Sequence, residues 1–374
     1  MIEKPSKAEA QSPILSHTNQ RNQLRLVAWE ITRKCNLNCI HCRAGSDRGP
    51  YPDELNTAKG FQILEQVREV GTPIVILTGG EPLLRADVFD LARKGTDLGL
   101  RMVMATNGTL LTSENIEEMK DSGIQRVSIS IDGAEEKQHD DFRKVAGAYR
   151  RALEGIGLLK AGGLDFQINT TVTRHNAEDL EKILNLSTRL GAVAHHIFLL
   201  VPTGRAREMT NQEIDKIQYE KLLRWFYHMR DKTPLHLKAT CAPHYYRILR
   251  QEADKRGEIV NMETYGLDAV TRGCLGGTAF CFISNTGVVQ PCGYLELDCG
   301  DLTRQTFQSV WFDSPVFERL RDFESYKGKC GKCRYLRYCG GCRARAFEAT
   351  GDYLAEEPLC AYQPGSEAAR SAQE

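Results

Sequence analysis

The sequence lacks the features that mark membrane proteins and nucleic-acid-binding proteins. Its longest apolar stretches are only as long as a strand, far short of the roughly 20 residues that a membrane-spanning helix requires. Its charge is balanced, with 49 Lys and Arg residues against 49 Asp and Glu residues, so no overall field attracts nucleic acid or an anionic membrane. We therefore expect a protein that binds neither.

The N-terminal segment lacks the hydrophobic core of a signal peptide. Residues 1–23 are polar and of mixed charge, which predicts a disordered tail. Without a secretion signal, the thirteen cysteines indicate a reducing cytoplasm and metal ligation rather than disulfides. No heptad or exposed apolar stripe stands out, so a cytoplasmic monomer is expected.

Short β-rich runs alternate with amphipathic segments between residues 24 and 205, which is typical of βαβ units in a parallel sheet. The predicted strands are 24–30, 74–77, 101–105, 127–131, 166–172 and 196–201. The predicted helices are 57–70, 86–98, 113–122, 148–161 and 177–190. This pattern predicts an α/β fold, a partial (β/α)6 TIM-like barrel, with ligands at the carboxyl ends of the strands.

The rest of the chain has a different character. Residues 206–265 are charged and helical in pattern, which predicts a helical connector. Residues 266–374 are dense in cysteine, which is difficult to explain without metal clusters. We therefore predict a separate C-terminal domain that binds iron–sulfur clusters.

Three cysteines follow the first predicted strand at the spacing C-x3-C-x2-C: Cys35, Cys39 and Cys42. Three thiolates at this spacing can hold three irons of one 4Fe–4S cluster and leave the fourth iron open to a small molecule. A zinc knuckle or a disulfide pair is the alternative, but a structural zinc site normally takes four protein ligands. The run therefore predicts a catalytic redox site.

Together with Gly79, Gly80 and Glu81 after the second strand, this run resembles the radical S-adenosyl-L-methionine (SAM) enzymes. In that family the cysteines hold a 4Fe–4S cluster whose open iron binds SAM. The glycine-rich turn accepts hydrogen bonds from the SAM amine, and a Cβ there would block the approach. An ordinary turn between a strand and a helix is the alternative reading of the glycines.

The resemblance extends to the end of the fourth strand. It implies that Ser130 and Asp132 face the ribose and carboxylate of SAM, and that Arg143 pairs with the SAM carboxylate. Simple capping and surface pairing would also explain these residues.

The C-terminal cysteines resemble the SPASM extension of radical SAM enzymes, which carries auxiliary 4Fe–4S clusters. The resemblance implies two ligand sets: Cys274, Cys281, Cys292 and Cys342, and Cys330, Cys333, Cys339 and Cys360. A zinc ribbon of Cys330, Cys333, Cys339 and Cys342 is the alternative.

The chain departs from the usual pattern because two residues, Gly340 and Gly341, stand between the last paired cysteines instead of three. This leaves open whether one or two auxiliary clusters form. Cys241 and Cys299 are expected to be small buried apolar residues.

Segments 25–30, 191–199, 239–246 and 271–277 resemble one subgroup, the SAM-dependent heme synthases of the siroheme-derived pathway. This resemblance implies oxidative decarboxylation of two propionates of Fe-coproporphyrin III to vinyl groups, which forms heme b. Each propionate would consume one SAM, and an auxiliary cluster would accept the remaining electron. A low-potential donor such as ferredoxin or flavodoxin would reduce the first cluster.

A substrate with several carboxylates and a central iron needs cations and an axial ligand. The candidate carboxylate-binding residues are Arg205, Lys238 and Arg272. The candidate iron ligands are His195, His196 and His244.

Three other functions are open from the sequence. A sister enzyme would deacetylate didecarboxysiroheme or build heme d1 precursors with the same clusters. A SPASM enzyme that matures peptides would need a leader-binding wing at its N-terminus. A protein of a different class would be a non-catalytic iron–sulfur scaffold or a zinc-binding adaptor.

Overall fold

A computed structural model describes residues 23–365, so all but the last residue of the predicted tail lies outside the described residues. The strands are β1 (Leu26–Thr32), β2 (Ile74–Gly79), β3 (Arg101–Thr106), β4 (Val127–Ser130), β5 (Phe166–Val172), β6 (Ala194–Leu199), β7 (His236–Thr240), β8 (Phe280–Ile283), β9 (Val288–Gln290) and β10 (Gly300–Asp301).

The longer α-helices, which cover the barrel strands and continue into the region after β6, are α1 (Thr57–Val70), α2 (Val88–Asp97), α3 (Ser113–Asp121), α4 (Glu136–Arg143), α5 (Ala148–Ala161), α6 (Leu180–Leu190), α7 (Lys216–His228) and α8 (His244–Lys255). Short helices follow: α9 (Met262–Tyr265), α10 (Leu267–Val270), α11 (Phe307–Asp313), α12 (Pro315–Arg321), α13 (Gly328–Gly331), α14 (Leu336–Cys339) and α15 (Arg343–Thr350). Within residues 23–365, no helix has the length and apolar character needed to cross a membrane.

The strands form one sheet in the order β10-β9-β8-β1-β2-β3-β4-β5-β6-β7. Neighbours from β8 through to β7 are parallel, and β9 and β10 are antiparallel. The α/β partial barrel is confirmed, with a further parallel strand on each side. β7 arises from the region predicted to be a helical connector, and β8 joins the cysteine-rich region to the barrel sheet.

Alternation along each strand separates the two faces of this sheet. On β1, Val27 and Trp29 are almost fully buried against the helices, whereas Ala28 on the opposite face is partly exposed. Helix α1 approaches closely because it carries Gly60, where a Cβ would lie 3.1 Å from Trp29 and 2.6 Å from Leu91. The apolar face of the sheet therefore forms the main core with the helices.

The inner face of the barrel sheet lines a cleft, because the edge strand β7 does not pair with β8. On β1 to β3 its side chains are mainly apolar, including Ala28, Ile76, Val103 and Ala105. On β4 to β7 they are mainly polar, with Phe198 as an apolar exception: Ser128, Ser130, Gln167, Asn169, Thr171, His196, Lys238 and Thr240. The cleft thus offers one apolar wall and one polar wall.

Two glycines of α5 test how closely this helix packs on the loop after β3. A Cβ on Gly155 would lie 2.4 Å from the carbonyl oxygen of Gly108, whereas nothing lies within 4 Å of one on Gly157. We expect Gly155→Ala to lower the free energy of unfolding by about 1–3 kcal/mol through overpacking. Gly157→Ala should raise it by about 0.5–1 kcal/mol, because alanine loses less backbone entropy in a helix. Urea unfolding followed by circular dichroism measures both, and equal effects would contradict the close contact.

Candidate active site and cluster-binding centres

The three cysteines predicted to hold the catalytic cluster lie in the loop that leaves the carboxyl end of β1. Cys35 and Cys39 are buried and Cys42 is partly buried, and all three belong to one small apolar cluster with Leu37 and Ala148. The backbone N–H of Cys35 donates to the Asp47 carbonyl at 2.6 Å. The loop therefore folds back on itself and gathers the thiols at one place.

The electrostatics of these thiols favour a positively charged iron centre. Burial raises the pKa of Cys35 to about 12, and the neighbouring Cys39 and Cys42 add to the effect. Burial also raises the pKa of Cys39, although Arg143 opposes it. Thiolates are the iron ligands, so loading the site must release protons and supply positive charge among them. The chemistry of this donor set fits a cluster.

The glycines after β2 are required by the protein backbone. The N–H of Gly80 donates to the Thr32 carbonyl at 2.8 Å, and the N–H of Glu81 donates to the Lys34 carbonyl at 2.7 Å. A Cβ on Gly79 would lie 2.1 Å from the Thr32 oxygen, and one on Gly80 would lie 2.4 Å from the Lys34 oxygen. The glycines therefore let the turn pack directly on the chain that leads into Cys35, a reason the sequence did not reveal.

The Glu81 side chain connects the ends of β2 and β3. It is fully buried, and its carboxylate accepts hydrogen bonds from Thr106 Oγ1 at 2.7 Å and from the Asn107 N–H at 2.8 Å. Burial raises the pKa of Glu81 to about 7. Because protein donors already bind this carboxylate, the backbone of Glu81 and not its side chain would make any contact with SAM.

Asp132 and Arg143 form a buried ion pair beside the cysteine loop. Arg143 also donates to Cys39 Sγ at 3.5 Å, and Asp132 accepts from the Thr171 N–H at 2.7 Å. Burial raises the pKa of Asp132, although Arg143 opposes it. The pair connects the cysteine loop to β4 and β5, so Arg143 already has a carboxylate partner. Ser130 is partly exposed on the inner face.

Arg205, predicted to bind substrate, instead supports the cysteine loop. Its Nε donates to the Cys39 carbonyl at 2.8 Å and its Nη1 donates to the Ser46 carbonyl at 3.0 Å. Gly204 has φ of +56°, and a Cβ there would lie 2.0 Å from the Arg43 oxygen. The loop after β6 therefore braces the cysteine loop through close backbone contact.

Most of the other predicted substrate residues are also engaged elsewhere. The His195 side chain is fully buried, and its Nδ1 lies 2.8 Å from Ser187 Oγ on helix α6. Arg272 lies 4.3 Å from the ring centre of Phe323 and donates to a backbone carbonyl. Of the six candidates, His196 and Lys238 are the two placed on the inner face of the barrel.

The four cysteines of the second predicted auxiliary set lie around a single cavity. One cavity is lined by Cys330, Cys333, Cys339 and Cys360. The Gly341 N–H points at Cys339 Sγ at 3.4 Å, and the Glu357 N–H points at Cys330 Sγ at 3.5 Å. His244, a predicted heme ligand, also lines this cavity. Four thiols with N–H donors around a cavity fit a 4Fe–4S cluster.

The first auxiliary set differs from the prediction at one position. Cys281 faces the core from β8, where its thiol neighbour is Cys299, because alternation turns Phe282 and not Cys281 towards the inner face. Cys241 instead packs with Cys292 and Cys342 in one apolar cluster.

Two further observations single out Cys241, which the sequence predicted to be a buried apolar residue. After burial, the neighbouring thiols of Cys342, Cys292 and Cys274 are among the groups that raise its pKa. Its φ is +54°, a left-handed conformation that is uncommon outside glycine and concentrates at functional sites. The missed signal is its position directly after β7, a strand that the sequence did not reveal.

Gly340 and Gly341 allow the chain to change direction between Cys339 and Cys342. Their φ angles are +79° and +59°, which lets the chain turn sharply between Cys339 in one set and Cys342 in the other. The departure from the usual pattern therefore does not prevent Cys342 from reaching Cys292.

The cysteine sets do not have the geometry of a single-ion site. Thiolates around one zinc ion lie about 3.8 Å apart, given a Zn–S bond of about 2.3 Å. In the part of the chain that the structure describes, no three His, Cys, Asp or Glu side chains are gathered closely enough for one metal ion. The arrangement thus disfavours the zinc-ribbon alternative.

The arginine pair Arg205 and Arg207 tests the support of the cysteine loop. Arg205→Ala removes both carbonyl contacts and should lower the free energy of unfolding by about 1–3 kcal/mol, and protease should cut the loop faster. Arg207→Ala is the control, because the exposed Arg207 side chain pairs with Glu348. This substitution should lower the free energy of unfolding by less than about 1 kcal/mol. Thermal unfolding and limited proteolysis measure both effects, and equal losses would contradict the bracing role.

Comparisons with known proteins agree with this architecture. Residues 29–187 match the radical SAM superfamily, and residues 274–342 match the SPASM iron–sulfur cluster-binding domain. The structure resembles Streptococcus suis SuiB bound to S-adenosylmethionine with a TM-score of 0.72 at 17% identity, covering 91% of this chain and 78% of that one. At this identity the likeness concerns the fold alone.

Two relatives are much closer in sequence. The AdoMet-dependent heme synthase of Nitratidesulfovibrio vulgaris Hildenborough is 55% identical over 91% of this chain and 93% of its own length. That of Methanosarcina barkeri is 52% identical over 92% of this chain and 98% of its own length. AdoMet is another abbreviation for SAM. The chain therefore belongs to the AdoMet-dependent heme synthases, a family of radical SAM enzymes with a C-terminal SPASM domain.

Proposed function

We propose that this enzyme decarboxylates two propionates of Fe-coproporphyrin III oxidatively to vinyl groups and so forms heme b. The observation that carries the proposal is the identity of 52–55% to two AdoMet-dependent heme synthases over more than nine-tenths of the chain. The barrel cleft supports it independently. An apolar wall suits the macrocycle and a polar wall suits its carboxylates.

The proposed chemistry assigns distinct tasks to the residues around the first cluster. When bound to Cys35, Cys39 and Cys42, a 4Fe–4S cluster with SAM supplies a 5′-deoxyadenosyl radical. Arg143 would hold Cys39 through its N–H···S contact and, through its ion pair with Asp132, keep the cysteine loop beside the end of β4. Backbone carbonyls of the turn at Gly79 and Gly80 would accept hydrogen bonds from the SAM amine, and Ser130 would face SAM from the cleft.

The auxiliary cysteines would hold clusters that accept the electron remaining after each carboxylate leaves as CO2. We assign Cys241, Cys274, Cys292 and Cys342 to one auxiliary 4Fe–4S cluster and Cys330, Cys333, Cys339 and Cys360 to another. The first set is the one beside the catalytic loop: Arg43, the residue after Cys42, donates to the Gly293 carbonyl at 3.2 Å. An electron acceptor at this place would adjoin the reacting centre.

The remaining parts of the proposal concern partners and location. A low-potential donor such as ferredoxin or flavodoxin would reduce the first cluster, and the protein would act as a monomer. A reducing cytoplasm suits the chain because none of the thirteen cysteines, all of which lie within residues 23–365, forms a disulfide.

The direct test is an anaerobic assay of the reconstituted enzyme with SAM, a low-potential reductant and Fe-coproporphyrin III. We expect a monovinyl intermediate and then heme b, with one 5′-deoxyadenosine for each propionate converted. Liquid chromatography with mass spectrometry measures all three, and Cys39→Ala should abolish every product.

Other outcomes of the same assay distinguish the alternatives. Turnover of didecarboxysiroheme with loss of acetate would favour a sister tetrapyrrole enzyme. Formation of 5′-deoxyadenosine without any change in Fe-coproporphyrin III would contradict the substrate assignment, and complete absence of SAM cleavage would contradict the enzyme assignment.

Cys241 and Cys281 provide a matched pair for the auxiliary ligand set. We expect Cys241→Ala to remove or destabilise one auxiliary cluster, with loss of up to about four irons per chain. Cys281→Ala should retain all of its iron, because this thiol lies in the core with Cys299. Iron and sulfide analysis with Mössbauer spectroscopy measures the difference, and the reverse pattern would restore Cys281 as the ligand.

A further inference from the structure

His196 and Lys238 combine unused hydrogen-bonding groups with a shared position on the polar wall of the cleft. They are register partners on β6 and β7, and both are partly exposed on the inner face. Within residues 23–365, the ammonium group of Lys238 makes no hydrogen bond and no ion pair. Asp268 lies close enough to affect it electrostatically but beyond ion-pair distance. The ammonium group is therefore available to an anion in the cleft.

His196 is oriented by two neighbouring amides. Gln167 Nε2 lies 3.0 Å from Asn169 Oδ1 and 2.9 Å from His196 Nδ1. Since an amide nitrogen can only donate, Nδ1 accepts and the imidazole proton lies on Nε2. Burial lowers the pKa of His196 well below its usual value, with help from Lys238 and His236, so the ring is neutral. Its free Nε2–H can donate to an oxygen but cannot ligate iron.

We propose that His196 and Lys238 together bind one carboxylate of the substrate and that neither ligates its iron. The inference rests on the proposed function, because it takes a tetrapyrrole carboxylate as the ligand. An ammonium group and a neutral N–H donor on adjacent strands match the two oxygens of one carboxylate. The Gln167–Asn169 pair acts as a positioning device that keeps the donor proton on Nε2.

The position of the pair indicates which carboxylate it binds. Lys238 precedes Cys241 by three residues, which corresponds to about 10 Å along an extended strand. His196 lies three residues and Lys238 two residues before the carboxyl end of its strand, about 7–10 Å from the edge of the sheet where the catalytic cysteine loop is placed. The pair therefore holds a propionate that heme b retains and leaves a different propionate at the reacting end.

In the alternative arrangement, the side-chain amides of Gln167 and Asn169 are both flipped, so that the oxygen and nitrogen of each exchange places. Gln167 Oε1 would then accept a hydrogen bond from His196 Nδ1–H, and Nε2 of His196 would carry a lone pair that binds iron. The two arrangements differ in a spectroscopic property, because an axial histidine changes the spin state and the Soret band of the bound porphyrin iron, whereas a carboxylate contact does not.

The test is an optical titration of the anaerobic, cluster-loaded enzyme with ferric Fe-coproporphyrin III and with its tetramethyl ester. We expect His196→Ala and Lys238→Met to weaken binding of the free acid about ten- to a hundredfold and to leave binding of the ester unchanged. His196→Gln and Lys238→Arg, which keep a donor or the charge, should restore most of the affinity. Electron paramagnetic resonance of the bound ferric iron should be the same in wild type and His196→Ala.

His228→Ala and Lys232→Met are the matched controls, because both side chains are exposed outside the cleft. Unchanged affinity of His196→Ala and Lys238→Met for the free acid would overturn the proposal. A change in spin state on His196→Ala would overturn it in favour of iron ligation. A wild-type enzyme that binds neither porphyrin would contradict the proposed function and this pairing with it, whereas wild-type binding with unaffected variants contradicts the pairing alone.

Discussion

The parallel pairing of β8 with β1 is the constraint on which the rest of the molecule depends. It joins the cysteine-rich C-terminal region to the same sheet that carries the catalytic loop. Because β8 runs beside β1, the turn after β9 reaches the catalytic loop, where Arg43 binds the Gly293 carbonyl and pairs with the fully buried Glu30. At the other edge of the sheet, β7 ends directly before Cys241. Cys241 and Cys292, which follow strands on opposite sides of β1 in the open sheet, thus come together in one apolar cluster.

In the proposed reaction, this arrangement would give the remaining electron a short route. Tyr294 follows the Arg43 contact and packs in the apolar cluster that contains Cys241, Cys292 and Cys342. Burial raises its pKa, and thiols of both the auxiliary set and the catalytic loop, through Cys42, contribute. A single side chain therefore lies within electrostatic reach of both cysteine centres. The same opening of the sheet leaves the cleft, with its apolar and polar walls, accessible to a flat substrate with carboxylates.

The sequence predicted the barrel well because each of its strands is a short apolar run followed by an amphipathic helix, and every predicted strand is within two residues of the observed bounds. It missed β7, since His236–Thr240 contains only five residues inside a charged helical region. It missed β8 because the surrounding cysteines suggested a metal-binding loop. Spacing alone could not show which face of β8 Cys281 occupies, nor that Arg205 and Arg143 would be occupied by the protein itself. Such partners depend on contacts between elements far apart in the chain.

Anomalous diffraction at the iron edge from anaerobically grown crystals of the cluster-loaded enzyme tests this arrangement most directly. From the proposed ligand sets we expect three iron centres: one at Cys35, Cys39 and Cys42, one closed by Cys241 with Cys274, Cys292 and Cys342, and one in the cavity lined by Cys330, Cys333, Cys339 and Cys360. Iron bound to Cys281, or a centre near Cys292 that leaves Cys241 unligated, would contradict it.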